Sequence, residues 1–189
     1  MAVDLAEVHA RALDRTAAIV RAIRADHWDS PSNCDPWSVR DLVNHVVSGN
    51  LWVPELVGGR TIEEVGDRLD GDVLGDDPMA AYLASAVVAA AAFREDGALE
   101  RPTAVSYGPV PGAVYCGHRF LDVLVHGWDI AVSSGQPTVL DPELVLACIE
   151  VVEPQAEALA ASGAFGSHVD IAPDAGPQTR LLAMVGRVG

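Results

Sequence analysis

The sequence predicts an all-α protein, an up-and-down four-helix bundle with long loops and a short carboxy-terminal tail. Three observations support this prediction. Apolar residues recur with a helical period in several long segments, helix-capping residues stand at the start of some of them, and no alternating run is long enough to seed a sheet. Because the chain has 189 residues, of which 50% are hydrophobic, it can bury a core of its own. We therefore expect one domain spanning residues 1–189.

The first two helices are predicted from their apolar faces. Residues 3–27 carry apolar side chains at helical spacing, with arginine and aspartate on the opposite face. The segment 29–36 contains two prolines and breaks the pattern. A second helix is expected from Ser38, whose spacing to Asp41 resembles a capping box, towards Trp52, and Pro54 complicates its end.

Irregular segments alternate with helices in the middle of the chain. Glycine and aspartate are frequent in residues 57–77, which predicts a long connection with room for one helical turn. Residues 79–93 are rich in alanine and predict a third helix. Residues 107–112 hold two prolines, too many for a central strand, so only a short extended turn is expected before the next helix.

The last third of the chain holds the most informative helix, predicted for residues 113–133. A further long helix should start at Asp141 and Pro142, which suit the N-cap and the first helical position, and should end near residue 163. The tail, residues 164–189, has room for one short helix at 177–185.

The charge of the chain excludes several classes of function. Its formal net charge is −15 and its isoelectric point is near 4.5, so nucleic acid and anionic membranes are repelled. All 12 basic residues are arginines, and without lysine neither a Schiff-base enzyme nor a P-loop is possible. We expect a small-molecule substrate, no nucleic acid and no membrane as partners, with a homodimer left open.

The cysteines and the amino terminus indicate a compartment. Cys34, Cys116 and Cys148 lie far apart without a CxxC pair, which argues against both a disulfide framework and a thiolate zinc knot. The first twenty residues carry charges through an amphipathic pattern that is not typical of a signal peptide. These features predict a cytoplasmic protein.

A stripe of polar residues runs beside the apolar face of the helix at 113–133. Its members follow one another at spacings of four, four and three residues: His118, Asp122, His126 and Asp129. On the second helix, His45 falls at the border of the apolar arc. Two histidines and a carboxylate from two helices can together ligate a divalent cation.

Each of these residues also has a purely structural interpretation. His45 could be a satisfied histidine at the border of the core, and Asp122 with His126 could be an ion pair on a helix surface. Cys34, which lies shortly before a helix, could have a lowered pKa or could be a small buried residue. Three arginines could bind an anionic substrate or lie solvated on the surface: Arg40, Arg60 and Arg119.

Two motifs carry a resemblance to a known family. Residues 34–45 read CDPWSVRDLVNH and residues 122–131 read DVLVHGWDIA. In these motifs, and in the tail at 164–166 and 174–187, the chain resembles the actinobacterial DinB-like metal-binding proteins. These are relatives of the amino-terminal domain of mycothiol-dependent maleylpyruvate isomerase. The resemblance covers nearly the whole chain.

The resemblance implies a DinB-type four-helix bundle with a metal held by one histidine of the second helix and two residues four apart on a later helix. By position, these ligands are His45, Asp122 and His126. Relatives carry histidine or glutamate where this chain has Asp122. The resemblance implies a divalent metal, zinc first and nickel or iron as alternatives, and mycothiol as co-substrate.

Two functions follow as expectations. The first is a metal-dependent thiol S-transferase or isomerase that acts on a small electrophile. In it, the substrate would contact Trp52, His118 and Arg119. The second is a metal-free small-molecule binding protein, or a repurposed enzyme, in which the same polar residues form a hydrogen-bonded network. A helical dimerisation module without chemistry ranks below both.

Overall fold

The computed structural model describes residues 3–106, 108–156, 166 and 168–189, and it confirms the all-α fold class. Its helices are α1 (Leu5–Arg21), α2 (Val39–Val57), α3 (Ile62–Val65), α4 (Pro78–Phe93), α5 (Gly112–Ser133), α6 (Pro142–Val152) and α7 (Pro177–Met184). Two strands, β1 (Pro102–Val105) and β2 (Gly108–Pro111), form a small antiparallel hairpin. The predicted continuation of the sixth helix to residue 163 lies outside the described residues, as do tail residues 164 and 165.

The contacts of the chain group into two compact units. The larger unit, Asp4–Thr138, contains helices α1 to α5 and the hairpin. The other consists of Met1–Val3 with Val139–Gly189 and contains α6 packed against α7. The expectation that residues 1–189 form one domain stays a prediction.

Four long helices of the larger unit form the bundle. Helix α1 packs against α5 and α4, and α2 packs against α4 and α5, so the order around the bundle is α1, α5, α2, α4. Each helix contributes large apolar side chains that are fully buried, among them Leu13, Leu42, Phe93 and Phe120. Because α2 and α5 are neighbours, the polar stripe of α5 can face α2.

The boundaries of α1 and α2 follow from residues next to the helix ends in the sequence. Asp4 caps α1 by accepting a hydrogen bond from the backbone N–H of Glu7. The helix ends at Arg21, earlier than the predicted 27, because Arg24 is extended and starts a separate 3₁₀ turn at Ala25–His27. Helix α2 begins with the predicted capping box of Ser38 and Asp41.

Pro54 lies inside α2, which continues through it to Val57. The hairpin before α5 is also more regular than the sequence indicates, because it pairs Pro102 with Pro111 in two strands. A two-stranded sheet has only edge strands, and proline is tolerated at strand edges. The expectation that no sheet forms is therefore wrong for this small element. Among the described residues, no helix is long and apolar enough to cross a membrane.

Candidate metal centre

The three predicted metal ligands lie together between α2 and α5. His45 Nε2 is 3.3 Å from Asp122 Oδ1, and His126 Nε2 is 3.5 Å from the same oxygen. The rings of the two histidines meet edge to face, with their centroids 4.9 Å apart. We call these three residues the His45 cluster. One ligand atom of each lies within 4.8 Å of the others.

The surroundings of the cluster decide between the alternatives that the sequence leaves open. The side chains of Asp122 and His126 are only 14% and 8% exposed, so they are not an ion pair on a helix surface. The side chain of His45 is 37% exposed, so the cluster has a buried side on α5 and an accessible side on α2. A small molecule can therefore reach it from the α2 side.

The second oxygen of Asp122 is held by a buried arginine. Arg119 Nη1 donates to Asp122 Oδ2 at 2.8 Å, and its Nη2 donates to Asn50 Oδ1 at 3.1 Å. Asn50 in turn donates to Ser85 Oγ of α4 at 3.2 Å. Because Arg119 occupies Oδ2, the carboxylate presents Oδ1 to both histidines.

Gly49 leaves the space that Arg119 needs. A Cβ atom at position 49 would lie 2.6 Å from Cζ of Arg119, which is closer than non-bonded contacts of Cβ atoms in proteins. In an ordinary helix interior, alanine stabilises relative to glycine by about 1 kcal/mol. Whether Gly49→Ala lowers or raises the free energy of unfolding therefore shows whether the guanidinium is fixed at this position.

We expect Gly49→Ala to lower the free energy of unfolding by about 1–3 kcal/mol, because the buried guanidinium cannot move without losing its partners. Urea unfolding of the purified variant measures this change. Gly176→Ala, at the N-cap of α7, is a control for adding a methyl group where a Cβ meets nothing within 4 Å. A Gly49→Ala protein more stable than wild type would show that Arg119 has room to move.

Asp129 lies within hydrogen-bond distance of Nδ1, the second ring nitrogen of His126. His126 Nδ1 lies 2.9 Å from Asp129 Oδ2, and Asn33 Nδ2 donates to Asp129 Oδ1 at 2.8 Å. A histidine that donates its Nδ1 proton to a carboxylate keeps its Nε2 lone pair directed at a metal, and such partners are usual behind metal-binding histidines. Asp129 is fully buried, so this contact is shielded from water.

The loop before α2 covers the cluster. Trp37 places its ring 4.9 Å from the ring of His45 and 6.5 Å from that of His126, measured between centroids. The loop is tied to α5 by the backbone N–H of Asn33, which donates to Ser133 Oγ at 3.1 Å. Trp37 therefore restricts the orientation of the His45 ring from the solvent side.

The pKa of the Asp122 carboxyl group is strongly lowered, so the group is ionised at neutral pH. Burial alone would raise the pKa of this carboxyl, but the positive charge of Arg119, followed by the contacts with His126 and His45, outweighs burial. The pKa is therefore held far below its usual range. Asp122 can therefore act as an anionic ligand at neutral pH.

His126 is shifted in the opposite direction. Burial lowers the pKa of the imidazole, but the charge of Asp122 and the hydrogen bond to Asp129 raise it more, to about 9. At neutral pH without a metal, His126 therefore carries a proton on each nitrogen. An ion that binds Nε2 has to displace one of them.

The geometry of the His45 cluster fits a divalent ion. Bonds of about 2.0–2.2 Å at tetrahedral angles place neighbouring ligand atoms about 3.3–3.6 Å apart. The distances of 3.3 and 3.5 Å from Asp122 Oδ1 to the two imidazole nitrogens lie in this range. Two nitrogens and one carboxylate oxygen leave a tetrahedral ion one open position.

An open cleft of about 300 Å³ adjoins the cluster on the α2 side. Its lining consists of Trp37, Asp41, Asn44, His45, Ser48, Leu69, Asp70 and Gly71. The loop that forms its far wall is fastened to α2 by Asn44, which donates to the Gly71 carbonyl and accepts from the backbone N–H of Val73. The cleft therefore has a fixed polar wall and an aromatic edge next to His45.

The three predicted substrate contacts lie in different surroundings. Arg119 is buried against Asp122 and Asn50, while His118 and Trp52 are half-buried on α5 and α2. Among the described residues, none of the three belongs to the lining of the cleft. Their roles toward substrate stay predictions.

Sequence reasoning did not identify Asn33, Asn50 or Gly49 as part of the site. Gly49 carried a usable signal, because a glycine one turn after His45 in a helix interior suggests close packing by another group. The asparagines carried none, since their partners lie on helices that are distant in the sequence.

Comparison with known proteins supports the motif resemblance. The family model of the mycothiol maleylpyruvate isomerase N-terminal domain matches residues 9–131. Two uncharacterized proteins of Mycobacterium tuberculosis, from strains CDC 1551 and H37Rv, are each 38% identical over 138 residues. The alignments cover 73% of this chain and 71% of each relative. No solved structure matches the chain.

Proposed function

Because this chain belongs to the family of the mycothiol maleylpyruvate isomerase N-terminal domain, we propose that it is a metal-dependent enzyme. It would use a low-molecular-weight thiol of the mycothiol type to transfer or isomerise a small electrophile. The observation that carries this proposal is the convergence of three ligand atoms: His45 Nε2, Asp122 Oδ1 and His126 Nε2.

The His45 cluster would hold the ion, with zinc as the first candidate and nickel or iron as alternatives. When bound there, a divalent ion supplies a positive charge that favours the thiolate form of a thiol at neutral pH. The remaining chemistry belongs to the residues of the chain. Arg119 fixes the Asp122 carboxylate through Oδ2, and Asp129 fixes the His126 ring through Nδ1.

The cleft beside His45 is the proposed place for the electrophile. It opens at the accessible side of the cluster, and the Trp37 ring provides an apolar surface at its edge. Polar side chains of α2 and of the loop at 69–71 can orient hydroxyl or amide groups of the reactants. A reactant bound there lies next to the ligand atoms without displacing any core side chain.

Conversion of the electrophile tests this proposal directly. Metal-loaded protein is mixed with mycothiol, or a close mimic, and a panel of small electrophiles, and both free thiol and the electrophile are followed over time. Transfer should consume thiol and electrophile together, whereas isomerisation should convert the electrophile and regenerate the thiol. Equal rates of electrophile conversion with and without protein for the whole panel would contradict the proposed activity.

A second candidate function is a metal-free binding protein or repurposed enzyme that uses the same pocket. The observation that favours it is the closed network around Asp122, in which Arg119, His45 and His126 already surround the carboxylate. In this case the ligand would contact the polar residues directly. Elemental analysis of chelator-free wild-type and His45→Ala protein separates the candidates, because only the first requires a stoichiometric ion that depends on His45.

The raised pKa of His126 makes metal affinity depend on pH. Since the pKa of this imidazole is about 9, it is protonated below that pH and an ion has to displace the proton. We expect apparent affinity to rise roughly tenfold per pH unit between about pH 6.5 and 8.5 through this proton alone. Competition with a chelator of known pH dependence measures the change. An affinity that does not vary with pH would show that His126 is not a ligand.

A further inference from the structure

A second group of potential ligand atoms lies on the other side of His126. Cys34 Sγ is 3.3 Å from Asp129 Oδ2, and His126 Nδ1 is 2.9 Å from the same oxygen. We call these residues the Cys34 cluster. One ligand atom from each lies within 4.8 Å of the others. The two clusters therefore share one imidazole, which directs Nε2 to the His45 cluster and Nδ1 to the Cys34 cluster.

The carboxylate of each cluster is fixed in the same way, through one of its two oxygens. In the His45 cluster, a donor from Arg119 holds one oxygen of Asp122, and the other oxygen faces two ligand atoms. In the Cys34 cluster, the amide of Asn33 holds one oxygen of Asp129, and the other faces Cys34 Sγ and His126 Nδ1. A carboxylate fixed through one oxygen, whose other oxygen faces two further ligand atoms, is arranged as a monodentate ligand.

The position of Cys34 is set by backbone hydrogen bonds, and the residue is half-buried. Its N–H donates to Ser32 Oγ at 3.1 Å, and its carbonyl accepts from the N–H of Trp37 at 2.9 Å. Cys34 is half-buried, whereas Cys116 and Cys148 are fully buried. The half-buried Cys34 therefore places its sulfur next to the fully buried Asp129.

We propose that Cys34, Asp129 and His126 form a second metal site, selective for a thiophilic divalent ion such as Zn²⁺ or Cd²⁺. A cysteine sulfur selects soft ions, and the set of one sulfur, one oxygen and one nitrogen suits tetrahedral coordination. The charges of a thiolate and a carboxylate would balance those of the ion. Binding releases the Cys34 thiol proton and the proton that His126 Nδ1 shares with Asp129.

Cadmium titration of the His45→Ala variant isolates this site, because the variant lacks one ligand of the His45 cluster. We expect one equivalent of Cd²⁺ to produce the ultraviolet charge-transfer band of a cadmium–thiolate bond. Adding Cys34→Ser to the same background should abolish the band. Adding Cys148→Ala, which removes a buried cysteine outside the cluster, should leave it unchanged. No band, or a band that survives Cys34→Ser, would overturn the proposal.

A second measurement does not depend on replacing Cys34. Cd²⁺ should slow the alkylation of Cys34 in the folded His45→Ala protein at least tenfold, as followed by peptide mass spectrometry. Unchanged alkylation in the presence of Cd²⁺ would also overturn the proposal. The result is independent of the proposed thiol chemistry, since both measurements use ion binding to a variant with an incomplete His45 cluster.

Discussion

Replacing His126 with alanine is expected to abolish stoichiometric binding of a divalent ion at the His45 cluster. The substitution leaves one imidazole and one carboxylate, and two protein ligands hold an ion weakly against water. His45→Ala should have the same result, because its Nε2 lies 3.3 Å from the shared oxygen of Asp122. Both variants are made in a Cys34→Ser background, which removes one ligand of the Cys34 cluster, and equilibrium dialysis followed by elemental analysis measures the ion that remains bound.

His118→Ala is the control for this experiment. His118 lies on the same helix and is half-buried, but it belongs to neither cluster of potential ligand atoms among the described residues. The variant should keep a full equivalent of metal. Full occupancy in both His45→Ala and His126→Ala would place the ligands elsewhere. Asp122→Ala is a poorer test, because it would leave the buried Arg119 charge unpaired and so destabilise the fold.

The loss of activity on metal removal is the second large effect that we expect. Chelator-treated protein and the His126→Ala variant should both convert the electrophile at the rate of buffer alone, because neither contains an ion between α2 and α5. Re-addition of Zn²⁺ should restore the rate of the chelator-treated wild-type protein and leave that of the variant unchanged. Free thiol and remaining electrophile are measured over time.

The control for this comparison is Cys148→Ala, which changes a buried residue outside both clusters and should retain the wild-type dependence on the ion. A rate that is equal in metal-loaded, metal-free and His126→Ala protein, and above that of buffer, would contradict metal dependence. It would favour the metal-free alternative, in which the reactants contact His45 and Asp122 directly. Circular dichroism of each variant shows whether the helices are intact.

Local patterns in the sequence predicted the helices and part of the site. The spacing of Asp122 and His126 was informative because helix geometry alone places residues four apart on one face. The capping box at Ser38 and Asp41 set the start of α2 for the same reason, since both partners lie within one turn. Such features depend only on neighbours along the chain.

Features that depend on distant partners were not predictable in this way. Asn33 contacts Asp129 across 96 residues of sequence, through a loop whose conformation has no periodic signal. Helical periodicity places Val132 on the same face as the buried Trp128, four residues earlier, yet Val132 is 38% exposed near the end of α5. The pairing of His45 with the stripe of α5 followed from the family resemblance, because periodicity does not determine which helices become neighbours.

The order of helices around the bundle links the site to the folding of the larger unit. The ligand atoms of the His45 cluster come from α2 and α5, which are separated in the chain by α3, α4 and the hairpin. These atoms meet only after that long connection has closed, at an entropic cost that no single helix can offset. An ion bound there would therefore favour the assembled bundle over every state in which α5 has not docked. It would stabilise the whole unit against unfolding.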